Sequence, residues 1–191
     1  KIIYGGTYNL VVEEFEKFGI SYSFTDGFSA EDFEAKIQKN TKVIYIETPS
    51  NPLLNITDLK AVADISKKHG LVSMIDNTFA SPVNQNPVDF GIDVVIHSAT
   101  KYMGGHSDIC AGAVASTEAN IKKIFSLAKN FGGSLSDYTV WLLERSIKTM
   151  GIRVRAQNAN AQKMAEYLYG HKDISAVYYP GLPSHPGHDI A

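Results

Sequence analysis

LVSMIDNTFASPVNQNPVDFGIDVVIHSATK, residues 71–101, holds two β-branched runs, Leu71 to Asp76 and Asp93 to Ser98, each closed by turn-forming residues. Short apolar runs bounded by Gly, Pro or Asn read as buried parallel strands. Working outward, Lys42 to Glu47 has the same character, and Ala111 to Ser116 is a weaker fourth candidate. Between Lys42–Glu47 and Leu71–Asp76, Thr57 stands as an N-cap, with Leu59, Val62, Ala63 and Ile65 at helical spacing and Gly70 placed to end the helix. Segments 9–18, 30–39, 118–129 and 137–149 read as helices, and a longer helix is expected over 152–169. Strands alternating with helices specify an α/β fold.

Composition narrows the function classes. The 191 residues, 44% hydrophobic and 20% charged, are enough for one globular domain and part of another. Eighteen Lys and Arg against 20 Asp and Glu leave a net charge of −2, so no electrostatic surplus draws the chain to nucleic acid or anionic lipid. The single Cys110 cannot close an internal disulfide, and no apolar run approaches the ~18 residues of a membrane span. A cytoplasmic protein that binds neither nucleic acid nor membrane is expected. The chain opens at Lys1 without an initiator Met and closes at Ala191 just past a Pro/Gly/His-rich stretch, as a piece of something longer would.

In open α/β sheets, ligands sit outside the carboxyl ends of the strands. Here those ends read Glu47-Thr-Pro-Ser-Asn51-Pro, Asp76-Asn-Thr78 and Ser98-Ala-Thr100-Lys101. Taken singly, these are ordinary turn formers: Asp76 capping a turn, Ser98 and Thr100 satisfying loop amides, Lys101 solvated. Taken together, they match the needs of pyridoxal phosphate (PLP). That cofactor requires a lysine for the imine at its aldehyde, an acid for the ring nitrogen, hydroxyls for the phosphate and an aromatic face. Lys101 supplies the amine and a later acid/base, and Asp76 favours the protonated ring. Ser98 and Thr100 can donate to the phosphate. Tyr4, just before Gly5-Gly6, has room to lay its ring against a cofactor.

The strings IYGGTY (3–8), IETPSNP (46–52), IDNTFASP (75–82), HSATKYMGGHSD (97–108) and YYPGLPSHP (178–186) closely resemble the Cys/Met-metabolism PLP-dependent enzymes, in register across the chain. That family includes cystathionine γ-synthase, cystathionine β- and γ-lyases, methionine γ-lyase and O-acetylhomoserine sulfhydrylase. The resemblance implies a large domain like that of aspartate aminotransferase, with a mostly parallel, mixed sheet between helices. It implies Lys101 as the Schiff-base lysine, Asp76 as the pyridinium partner, and Ser98 and Thr100 as phosphate contacts. It further implies Tyr4 as the stacking tyrosine, with a part in substrate deprotonation, Asn51 beside the ring hydroxyl, and Thr78 as a supporting residue. Homotetramers built from catalytic dimers are implied as well.

The family's upstream Gly-Met phosphate cradle, its Tyr-x-Arg element from the neighbouring subunit and its C-terminal arginine for the substrate carboxylate have no counterparts in these residues. Residues 1–168 are therefore expected to be most of a PLP-binding large domain, lacking its N-terminal part. Residues 169–191 are expected to begin a small domain, and the chain alone to be a PLP-binding fragment without catalytic competence. Gly6 stands where methionine γ-lyases of the family carry Cys, which lowers that reading. The expected activity is that of a C–S lyase acting on cystathionine-type amino acids by β- or γ-elimination. Cystathionine γ-synthase or O-acetylhomoserine sulfhydrylase chemistry, by γ-replacement, is the alternative.

Other features have plainer readings. His185 and His188 have the separation of a metal pair but lack further ligands. His97 is expected to pack, His106 to shape its loop, Cys110 and Trp141 to lie in the core, and Glu47 to be a turn or surface carboxylate, with contact to the ring environment through Asn51 as the alternative. The resemblance places Arg153 and Arg155 in a segment near helix packing and subunit contacts, and no catalytic role is carried onto either.

Overall fold

A computed structural model describes residues 3–191; residues 1 and 2 of the expected domain lie outside them. Four strands, β1 (Val43–Glu47), β2 (Val72–Asp76), β3 (Val94–Ser98) and β4 (Gly112–Ser116), form one sheet in the order β1-β2-β3-β4. The first three are parallel, and β4 runs antiparallel to β3. The sheet is thus mixed and mostly parallel, as expected.

Register divides the side chains between two faces. Ile44, Ile46, Ile75 and Val95 share one face and bury against Leu59, Val62 and Ala63 of helix α3 (Leu59–Lys68). Full burial of each large aliphatic side chain contributes about 1.5–3 kcal/mol, so this face sets the sheet's position. Tyr45, Glu47, Met74, Asp76, Ile96 and Ser98 line the other face. That face is covered only in part, and its polar groups gather at the carboxyl end.

Several element boundaries differ from expectation. Asp58, not Thr57, is the N-cap of α3: its carboxylate accepts the Ala61 amide at 3.0 Å. Thr57 is buried instead, its amide donating to the Thr48 hydroxyl at 3.1 Å. Helix α1 spans Gly5–Glu14 and ends in a tighter 3₁₀ turn, Phe15–Phe18, so it begins before the expected 9–18. Helix α2 covers only Ala30–Glu34, opened by a Ser29/Asp32 capping box. A four-residue helix α4 (Ser81–Asn84) follows β2. Helices α5 (Glu118–Phe131), α6 (Asp137–Ile147) and α7 (Met150–Leu168) agree closely with the sequence pattern.

After Leu168 the described residues form no helix or strand, with Leu182 and His185 buried and Gly187 packed so closely on Ile56 that a Cβ there would lie 2.5 Å from it. Two residues expected in the core are not there. Cys110 is exposed, and Trp141 is 54% exposed beside the half-buried Leu142 and Leu143. Apolar character brings these side chains to α6 and the end of the Lys101 loop, but nothing among the described residues covers them. No helix among the described residues is long and apolar enough to cross a membrane.

Candidate active site

The carboxyl ends of β1, β2 and β3 place Glu47 directly opposite Asp76, and Ser98 on the same face two residues past Ile96, the partner of Asp76. Asp76 Oδ1 accepts both the Thr78 amide, at 3.0 Å, and the Thr78 hydroxyl, at 2.5 Å. Thr78 Oγ1 in turn accepts the Ser98 amide at 2.7 Å. One hydrogen-bonded chain therefore joins the ends of β2 and β3, fixing Asp76 through Oδ1. Among the described residues, Asp76 Oδ2 and the Ser98 hydroxyl have no hydrogen-bond partner. A carboxylate fixed at one oxygen and open at the other can hold a proton on a ring nitrogen.

Thr100 and Lys101 follow β3 on a turn. The Thr100 hydroxyl donates to the Ala111 carbonyl at 3.2 Å and accepts the Ala111 amide at 2.9 Å, tying the turn to the approach of β4. The ordinary loop role weighed for Thr100 is thus realised, whereas Ser98 keeps its hydroxyl available. Lys101 is exposed, and an open cavity of about 420 Å³ beside it is walled by Phe79, Tyr102 and Gln157 among others.

Tyr4 is the N-cap of α1 and 53% exposed, with its ring folded over Gly6, where a Cβ would lie 2.8 Å from the ring. Its amide donates to Glu47 Oε2 at 2.5 Å, and the Asn51 amide donates to Glu47 Oε1 at 3.1 Å. Glu47, read from sequence as a turn or surface group, is instead 8% exposed and holds two candidate cofactor residues at once. Burial pushes its carboxyl above the ordinary 4.5, the two amide bonds oppose the rise, and Asp76 adds to it. Burial and then the Asp76 charge hold the Tyr45 phenol protonated, its pKa pushed up to about 12.

His97 is buried on the opposite face, where desolvation lowers its pKa; it packs, as expected. His106 shapes its loop through a 2.7 Å bond to the Gly104 carbonyl. His185 Nδ1 accepts the Gly187 amide and His188 Nδ1 pairs with the Pro180 carbonyl, while the described residues contain no group of three or more metal-ligating side chains.

The sequence profile of a family described as "Cys/Met metabolism PLP-dependent enzyme" matches residues 1–191. The chain belongs to this family.

Within it, the chain is 47% identical over 190 residues to the cystathionine beta-lyase of Lactococcus lactis subsp. cremoris (strain MG1363), covering 99% of this chain and 50% of that protein. It is 46% identical to the cystathionine gamma-lyase of Bacillus subtilis (strain 168), again covering 99% and 50%. The crystal structure of cystathionine gamma-lyase from Lactobacillus plantarum complexed with L-serine superposes with a TM-score of 0.96 at 44% identity, over 99% of this chain and 50% of that one. The chain thus spans about half the length of the relatives it matches. The residues present fit the family's cofactor: an exposed lysine, a half-fixed carboxylate and an open hydroxyl stand on neighbouring strand ends, beside an exposed aromatic ring.

Proposed function

We propose that the protein containing this chain is a PLP-dependent lyase that cleaves a C–S bond of cystathionine-type amino acids. The Asp76–Thr78–Ser98 chain beside Lys101 carries the reading, because it leaves free the oxygens that such a cofactor needs. Bound PLP supplies an electron-accepting ring conjugated to the substrate amine. Asp76 Oδ2 holds the proton on the ring nitrogen, with Thr78 keeping the carboxylate in place. Lys101 Nζ is the amine that anchors the cofactor and then moves protons between substrate carbons. Tyr4 would offer its exposed ring as a stacking face and a group for substrate deprotonation, and the exposed Asn51 side chain would serve the ring hydroxyl. The Ser98 hydroxyl donates to the phosphate. The Thr100 hydroxyl, which donates to the Ala111 carbonyl, would have to release it to serve the phosphate as well.

Residues 1–168 are read as most of the PLP-binding large domain and 169–191 as the opening of a small domain; the end of α7 at Leu168 supports the division. Exposed Phe125, Phe131 and Trp141, at 67%, 79% and 54%, support self-association, read as a cytoplasmic homotetramer of catalytic dimers. Product analysis of the intact protein with cystathionine tests the activity. Pyruvate, homocysteine and ammonia mark β-elimination, whereas 2-oxobutyrate, cysteine and ammonia mark γ-elimination. No release of either keto acid contradicts the lyase reading.

A further inference from the structure

Lys101 belongs to no helix or strand, so the placement of its amine depends on how the turn 99–105 is held. Within the turn, the Gly104 amide donates to the Ala99 carbonyl at 2.8 Å and the Gly105 amide to the Lys101 carbonyl at 2.6 Å. These bonds close the turn on itself. Arg153, from the first turns of α7, attaches it to the helices. Its Nη1 donates to the Tyr102 carbonyl at 2.8 Å and its Nη2 to the Met103 carbonyl at 3.3 Å, one and two residues past the lysine.

The same guanidinium donates from Nη2 to the Ser146 carbonyl at 2.9 Å and from Nε to the Thr149 hydroxyl at 3.1 Å. Ser146 lies in the last turn of α6, where the negative end of the dipole gathers, and its carbonyl also accepts the Thr149 amide and hydroxyl, each at 3.2 Å. All four acceptors are neutral oxygens. A planar fork with five N–H donors can serve them together, whereas a lysine, with one flexible ammonium, cannot span them.

A second observation points the same way. Gly105 has φ +77°, and a Cβ built there would overlap the Arg153 guanidinium. Position 105 therefore needs glycine both for its backbone and for the arginine's approach.

We propose that Arg153, seated against Gly105, is a positioning residue that locks the Lys101 turn to α6 and α7 and so fixes where the lysine amine is presented. The proposal rests on reading Lys101 as the cofactor lysine. The test uses the intact holoenzyme with R153K, R153M, G105A and the G105A/R153M double variant. Three quantities are read: the equilibrium dissociation of PLP, the pH dependence of borohydride trapping at Lys101, and amide hydrogen exchange at Gly104 and Gly105 in the cofactor-free form.

R153K is expected to weaken PLP retention and speed exchange in the turn by about tenfold each, the size of one charge-assisted hydrogen bond. It should also shift the pH profile of trapping, while amides of β1 to β3 keep their protection. G105A should cost less in the R153M background than alone, because its clash is then gone. Wild-type retention, profile and exchange in R153K, or strict additivity in the double variant, would overturn the proposal. If R153M does not fold, R153K and G105A carry the decision through the exchange measurement. Trapping absent from Lys101 in the wild-type protein overturns the functional reading instead, leaving the exchange measurement to judge the lock.

Discussion

Replacing Glu47 by Gln keeps the side chain's shape but leaves it only one acceptor oxygen. In the native site Oε1 takes the Asn51 amide at 3.1 Å and Oε2 the Tyr4 amide at 2.5 Å. Glutamine oriented toward Asn51 confronts the Tyr4 N–H with a second donor. The lost bond to a charged acceptor is worth about 1.5–3 kcal/mol in isolation. The substitution also removes a charge from a position only 8% exposed and directly opposite Asp76, which offsets part of that loss. The main effect therefore falls on the placement of the Tyr4 ring. Its ceiling is the stacking contribution of the ring itself, about 0.5–1.5 kcal/mol. With 1.4 kcal/mol per factor of ten, that is about two- to twelve-fold in PLP dissociation. Equilibrium dissociation should be measured for the intact wild-type protein, E47Q, Y4A and the double variant. E47Q should weaken binding within this range, Y4A at least as much, and the double variant no more than Y4A. Unchanged affinity in E47Q alongside a loss in Y4A, or additive losses in the double variant, would refute the reasoning.

Asp76→Asn keeps an oxygen for Thr78 but removes the charge, so PLP should still bind while substrate α-proton exchange, followed by deuterium incorporation, falls at least about 100-fold; retained exchange contradicts the assignment. Ser98→Ala removes a hydroxyl with no partner among the described residues and should weaken PLP binding about tenfold without changing thermal stability. Thr100→Ala strands the amide of buried Ala111 and should lower stability by about 1–3 kcal/mol, read by calorimetry. Because burial raises the Glu47 carboxyl above 4.5, the folded protein holds that proton longer than the unfolded chain. Its contribution to stability is fully present below about 4.5 and is lost as pH rises through the raised folded value. Comparing wild-type and E47Q melting across pH in the cofactor-free protein should show this loss in the wild type only; parallel curves contradict it.

The sheet was legible because its strands are short β-branched runs with turn residues at both ends, and the strand ends carry the proposed site. Asp76, Ser98 and Lys101 could therefore be placed from their position after such runs alone. What escaped the sequence depends on distant partners. Glu47 becomes a positioning group only because Tyr4, 43 residues away, brings its amide to it. Arg153 likewise finds its carbonyls 51 and 50 residues back along the chain. Thr57 and Asp58 are both good caps, and the choice between them is made by the Thr48 hydroxyl claiming the Thr57 amide. Cys110 and Trp141 look like core residues by type, yet their exposure depends on what packs over them rather than on their own polarity.

The central claim is that Lys101 holds the cofactor at the ends of β2 and β3. Reducing the intact PLP-loaded protein with borohydride, digesting it and mapping the modified peptide by mass tests this directly. The account predicts a single stable pyridoxyl adduct on Lys101, absent in Lys101→Ala. An adduct on another lysine, or an undiminished adduct in Lys101→Ala, would contradict it.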